Sequence, residues 1–296
     1  ASNTTITATG ANFTSTSVVN FNSIPLTTTF VSATQLTAVV PAPLLVTVGT
    51  AAVTVTDSAS ESSSKPAVFT IVPSGLAVTF SGPSTTSPGE QPPLTFQLNQ
   101  PYPADLAGTM NLTFAPDPGN PANPQVQFAS GGTTFNFTLP ANTTTTPAVM
   151  VQVGTISGTI TVTLQLTAAG VNVTPANVVP ITIVVPKAAP TISAVSINTS
   201  GNTLTVHTTG YSTTREIQSA TFSFTAANGA TLAQKTVIVP AATLFSAWYT
   251  TAGSAQYGSA FTYSQQFTLS GSPSLIASVS VTLTNTVGTS SGVSSQ

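Results

Sequence analysis

Four basic side chains (Lys65, Lys187, Lys235, Arg215), six acidic ones (Asp57, Glu61, Glu90, Asp105, Asp117, Glu216), one histidine and no cysteine are all that this 296-residue chain offers for ionic chemistry. General acid–base catalysis, metal capture and phosphate binding each need several ionisable groups brought together. Here they are few and dispersed. The most favourable set is Glu90, Asp105 and Asp117, because two carboxyls about 5–9 Å apart can hydrolyse a glycosidic bond. Each, however, sits in a proline-bearing turn (Pro88-Gly89-Glu90, Tyr102-Pro103-Ala104-Asp105, Pro116-Asp117-Pro118-Gly119). Acidic residues in such turns ordinarily bond to their own backbone. The stretch from Asp117 to Asn123 carries one carboxylate and lacks the spacing of a calcium loop. Arg215-Glu216 reads as a surface charge pair or turn contact of small energetic weight. His207 alternates in phase with Thr205 and Thr209, opposite Leu204 and Val206, which places it on an outer face without a second histidine or a cysteine to share a metal. Neither catalysis nor a metal or cofactor is expected.

Uncharged groups remain. Trp248, Tyr249, Tyr257 and Tyr263 cluster in sequence with Phe245 and Phe261, and aromatic faces beside hydroxyls could stack on sugar rings. The competing structural reading is a core tryptophan with tyrosines that pin corners through their hydroxyls. Asn-x-Ser/Thr acceptors stand at Asn111, Asn136 and Asn142, among others, and Thr143 and Thr144 open a threonine run suited to O-linked sugars.

The elements that must carry these residues are strands. Val, Ile, Phe or Leu alternates with Thr or Ser in Thr5–Thr9, Leu36–Val40, Ala52–Thr56, Thr133–Leu139, Thr159–Leu166, Thr203–Thr209 and Ser278–Thr284, the period-2 pattern of a half-buried strand. Proline and glycine punctuate the runs, and no stretch offers a capped helical pattern. An all-β chain is expected, a tandem array of three immunoglobulin-like sandwiches covering 1–73, 74–187 and 188–296. The junctions are Ile71-Val72-Pro73-Ser74-Gly75 and Val185-Pro186-Lys187-Ala188-Ala189-Pro190, short proline-bearing linkers that should be semi-rigid. Charged residues make up 3%, against about 25% in ordinary soluble domains. Such a neutral surface lacks the self-repulsion that keeps proteins apart. A net charge of −2 excludes a nucleic-acid footprint, and no run approaches the ~20 apolar residues of a membrane span. No basic and apolar leader opens the chain, so any secretion signal is expected to have been removed.

Residues 1–73 resemble the IPT/TIG domain, on four segments: Thr5-Ile6-Thr7-Ala8-Thr9-Gly10-Ala11-Asn12-Phe13, Val18-Val19-Asn20-Phe21, Thr29 through Pro41, and Gly49 through Thr56. The glycine of the first segment should permit a tight turn, with Phe13 folding back as a core plug. The resemblance implies an immunoglobulin-like fold. The later parts are similar to the Ser/Thr-rich immunoglobulin-like modules of bacterial surface proteins. The family usually begins with one more strand, Pro-x-Ile-x-x-Ile-x-Pro, ahead of Thr-Ile-Thr; here Ala1-Ser2-Asn3 leads directly into it. A shortened chain, variation within the family, or a strand supplied by a neighbouring subunit would each account for that. The last would make Thr5, Ile6 and Thr7 a subunit contact. The resulting expectation is an extracellular or cell-surface structural protein, a self-assembling filament or surface-layer subunit whose partners are its own copies or other surface proteins. The alternative is a carbohydrate-binding or adhesion module of a larger surface protein, using the aromatic group near Trp248.

Overall fold

The computed structural model describes residues 2–47, 49–58, 62–72, 75–168 and 170–295. Glu61 and the Pro73-Ser74 junction lie outside the described residues. The regular structure of the described chain is nearly all strand, in a tandem array of three β-sandwiches. Alternation becomes burial directly: in Gly158–Ala168 every second residue, from Ile160 to Leu166, is buried, and the threonines between them face outward. The helix Ala242–Tyr249 departs from the expected all-strand reading. It is two turns long with no side-chain cap on its first turn. Its only sequence signal is the i, i+4 pair Phe245 and Tyr249, both buried.

In the first sandwich one sheet runs Thr4–Thr9, Gln35–Val40, Thr27–Ser32 in that order. The other centres on Gly49–Asp57, which pairs with Ser17–Phe21 and Ala67–Ile71. Val19, Phe21, Leu36 and Val40 fill the space between them. Phe13 does fold back as a plug, yet the glycine has a different reason from the one expected. A Cβ on Gly10 would fall 2.6 Å from the Phe13 ring, while the left-handed backbone of the turn is taken by Asn12 at φ 61°. Asp57, buried, accepts from the hydroxyls of Thr14, Thr16 and Ser17, so that carboxylate fastens a loop.

The second sandwich has the broadest core, from Val78 to Val185, with Phe96, Tyr102, Met110, Phe128, Ile160 and Leu166 at its centre. Its leading strand Val78–Ser81 pairs with Pro93–Leu98. The chain then crosses to the opposite sheet, where Thr85 forms a parallel bridge with Val184 of the closing strand Ile181–Val185. The Val184 N–H donates to the Ser84 carbonyl at 2.9 Å, and the Thr86 N–H to the Val184 carbonyl at 3.1 Å. This leader seals the sandwich. In the third sandwich the leading strand Thr191–Ser200 pairs with Thr203–Tyr211 and lies beside the closing Val293–Ser294. Among the described residues the first sandwich has no counterpart: Thr4–Thr9 pairs on one side only, with Gln35–Val40, and Ala67–Ile71 pairs only with Gly49–Asp57. Ile6, Ala8, Phe69 and Ile71 are left half-buried there, and Val68 is 70% exposed.

Hydroxyls and amides cover the outer faces. Thr113, Thr161 and Thr182 stand side by side on three neighbouring strands, and Asn111 lies between Thr134 and Thr163, at the strand spacing of about 4.8 Å. The Thr134 hydroxyl donates to Asn111 Oδ1 and that of Thr109 to Asn136 Oδ1, both at 2.9 Å.

Candidate functional site

The short helix and the 3₁₀ segment Ala252–Tyr257 build the most accessible aromatic surface. Burial of Phe245 against Phe261 (centroids 5.0 Å apart, edge-on) and Tyr263 (5.4 Å) fixes which way the helix faces. Trp248 is thereby turned to the side. It is half-buried, and its indole N–H donates to the Ala260 carbonyl at 3.3 Å. Tyr257, 51% exposed, stands with its ring centroid 6.1 Å from the indole at an interplanar angle of 31°. The two rings, with Ala260, Phe261 and Thr262, line a depression of about 340 Å³.

The other two members of the expected platform lie elsewhere. Tyr249 and Tyr263 are in the core, with their rings tilted against that of Phe245. The Tyr249 hydroxyl donates to the Ser259 carbonyl and that of Tyr263 to Gln265 Oε1, both at 2.7 Å. Burial disfavours the phenolate in both, raising the Tyr249 pKa and pushing that of Tyr263 up to about 12. The four aromatic residues thus divide: Trp248 and Tyr257 form a shelf, and Tyr249 and Tyr263 support it.

Arg215 does not form the surface charge pair that its neighbour Glu216 suggested. It is 8% exposed, with φ 52°. Its guanidinium lies 4.6 Å from the Tyr249 ring centroid and donates to the Tyr249 carbonyl (2.7 Å), to Ser254 Oγ (2.7 Å) and to the Gly258 carbonyl. Desolvation lowers its pKa, opposed by Tyr249. Glu216 instead accepts from the backbone and hydroxyl of Thr286, at 3.1 and 3.3 Å. Arg215 therefore fastens the whole segment from Tyr249 to Gly258, the segment that carries Tyr257. Sequence reasoning missed it because one arginine in a turn carries no periodic signal.

The same segment meets the second sandwich. The Ser259 N–H donates to Thr155 Oγ1 (3.0 Å) and the Ser259 hydroxyl to the Thr155 carbonyl (2.7 Å), while the Ser157 N–H donates to the Thr213 carbonyl (3.0 Å). Gly258 adopts φ 63°, and a Cβ there would lie 2.6 Å from Gln125 Oε1, so the joint requires glycine. Asn285 Nδ2 donates to the Ala188 carbonyl at 2.8 Å, and the Ala188 N–H donates to Thr213 Oγ1, which pins the linker. A groove of about 990 Å³ opens along this joint between Pro118–Pro121 and Arg215, Glu216 and Thr250.

The remaining candidates do not converge. Glu90 accepts from Thr86 Oγ1 (3.1 Å), Asp105 from the Ala141 N–H (2.8 Å), and Asp117 opens a turn in which the Asn120 N–H donates to its carbonyl (3.0 Å). The described residues contain no group of three His, Asp or Glu able to hold a metal. His207 contacts Ser264 Oγ through Nδ1 at 2.8 Å on the outer face. Thr5 and Thr7 are exposed and Ile6 half-buried on the one-sided strand. Asn111, Asn136, Asn142 and Thr143 are exposed, and Thr144 is half-buried. None of the described helices is long and apolar enough to cross a membrane.

The family model of the IPT/TIG domain matches residues 1–82. No curated protein matches the chain. Among solved structures it is similar to the FN1–FN3 domains of chicken CNTN1, at 11% identity over 100% of this chain and 96% of that one, with a TM-score of 0.25. The Ig1–Ig3 ectodomain of mouse nectin-like molecule 4 matches at 11% identity over 98% and 91%, TM-score 0.25. A chaperone–tip adhesin complex of CFA/I fimbriae matches at 9% identity over 74% and 97%, TM-score 0.27.

Proposed function

We propose that the chain is a non-catalytic structural protein of the cell exterior, built as domains 1–73, 74–187 and 188–296, whose copies join by strand complementation at the first domain. The later two domains are read as bacterial immunoglobulin-like surface modules. The observation that carries this is the one-sided Thr4–Thr9 and Ala67–Ile71 pair, with half-buried Ile6, Ala8, Phe69 and Ile71 behind it, in a chain whose second sandwich is sealed by its own leader. A strand laid along Thr5, Ile6 and Thr7 would satisfy exposed backbone groups and cover apolar side chains in one step. Few charges stand on the surface to oppose it. Negative-stain images and sedimentation velocity of the purified chain test the reading. Uniform fibres are expected, and a monomer that persists at high concentration overturns it.

A second reading is an adhesion module that binds carbohydrate. The shelf made by half-buried Trp248 and exposed Tyr257 favours it.

A further inference from the structure

Resting on that second reading and narrowing it to one place and one ligand class, we infer that Trp248 and Tyr257 form a preformed site for an uncharged sugar ring. The indole is held by its N–H bond to Ala260, which fixes the orientation of the ring toward the depression it shares with Tyr257. The depression, at about 340 Å³, falls within the size range of small-ligand sites and has their composition, aromatic walls with a few hydroxyls, here those of Tyr257 and Thr262. No formally charged side chain lines it. A charged ligand would give up hydration there without an ion partner. A pyranose instead presents C–H faces to the rings and keeps its rim hydroxyls in water.

Preorganisation supports the same conclusion. Tyr257 stands on a 3₁₀ segment whose start and end are tied to Arg215, through Tyr249 and Ser254 on one side and Gly258 on the other. Ser259 ties the next residue to Thr155 of the second sandwich. Little ordering cost is left for the ligand to meet. Arg215 is thus a positioning residue that does not touch the sugar.

Trp248 is the chain's only tryptophan, so its fluorescence reports this site alone. The full chain is titrated with maltohexaose, cellohexaose, laminarihexaose and chitohexaose. A saturable change with at least one is expected, weakened about tenfold by Tyr257→Ala, the energy of one aromatic contact, in a variant whose circular dichroism is unchanged. No saturable change with any of the four overturns the site, as does a response that Tyr257→Ala leaves intact. A response to decaproline in place of the sugars overturns the ligand class. Co-sedimentation with insoluble cellulose or chitin that survives in Trp248→Ala/Tyr257→Ala would leave carbohydrate binding standing and overturn this location for it.

Discussion

The first and second sandwiches share one architecture and differ in how they are closed. In the second, residues 84–86 bridge to Val184 and close the gap between the two sheets, and the core behind them, Leu94, Ile160 and Ile183, is fully buried. In the first, the corresponding flank is bounded by two strands that have no outer partner among the described residues, and Ile6, Phe69 and Ile71 remain half-buried. The contrast separates two sources of stability. The second sandwich holds itself together through its own leader, whereas the first leaves apolar side chains half-buried along that flank. A fully buried apolar side chain contributes about 1.5–3 kcal/mol relative to exposure, so a strand covering several half-buried ones would matter to both folding and assembly.

The largest effect expected to sharpen this contrast is in the cores. Phe128→Ala, in the sealed sandwich, should cost about 3–5 kcal/mol. Phe69→Ala, half-buried and edge-on to Phe21 at 5.4 Å, should cost about half that. Urea unfolding followed by circular dichroism measures both, and equal costs would break the comparison. Next, Thr86→Pro removes the N–H that donates to Val184 and should destabilise the second sandwich by about 1–3 kcal/mol. It should also give that sandwich the open flank of the first, seen as increased self-association in sedimentation.

Alkali provides a third separation. The first sandwich contains no tyrosine, whereas Tyr249 and Tyr263 lie in the core of the third. In the unfolded chain a phenol loses its proton near the ordinary value of 10, while folded Tyr263 keeps it to about 12. The folded state therefore holds more protons across that interval, and stability of the third sandwich is full below pH 10 and falls as pH rises toward 12. Phenolate absorbance and circular dichroism during titration should show the third sandwich unfolding while the first persists. The smallest effect on stability is expected from Thr5→Lys/Thr7→Lys, within about 0.5 kcal/mol because both side chains are exposed. Under the proposed strand-complementation assembly the same pair should abolish fibres, since charge on an open strand edge blocks pairing.

Much of this architecture was legible in the residues. Alternation predicted Thr203–Thr209 as a strand, and the structure extends it to Tyr211. The outward phase of His207 followed from its neighbours, and the plug formed by Phe13 followed from its place after Gly10. The helix was not legible, since two uncapped turns stabilised by burying Phe245 and Tyr249 owe their existence to the sheet beneath them. The division of the aromatic cluster was hidden for the same reason. Trp248 and Tyr249 are adjacent in sequence, and only the direction of the helix sends one outward and the other into the core. Arg215 shows the limit most plainly, because its three acceptors come from residues 34 to 43 positions further along the chain.

The rows of threonine and asparagine on the outer sheet faces carry one further consequence. Dissolved ions weaken contacts between charges and leave hydroxyl and amide contacts almost untouched. Surfaces such as the one around Thr113, Thr161 and Thr182 should accordingly behave alike in fresh water and in brine.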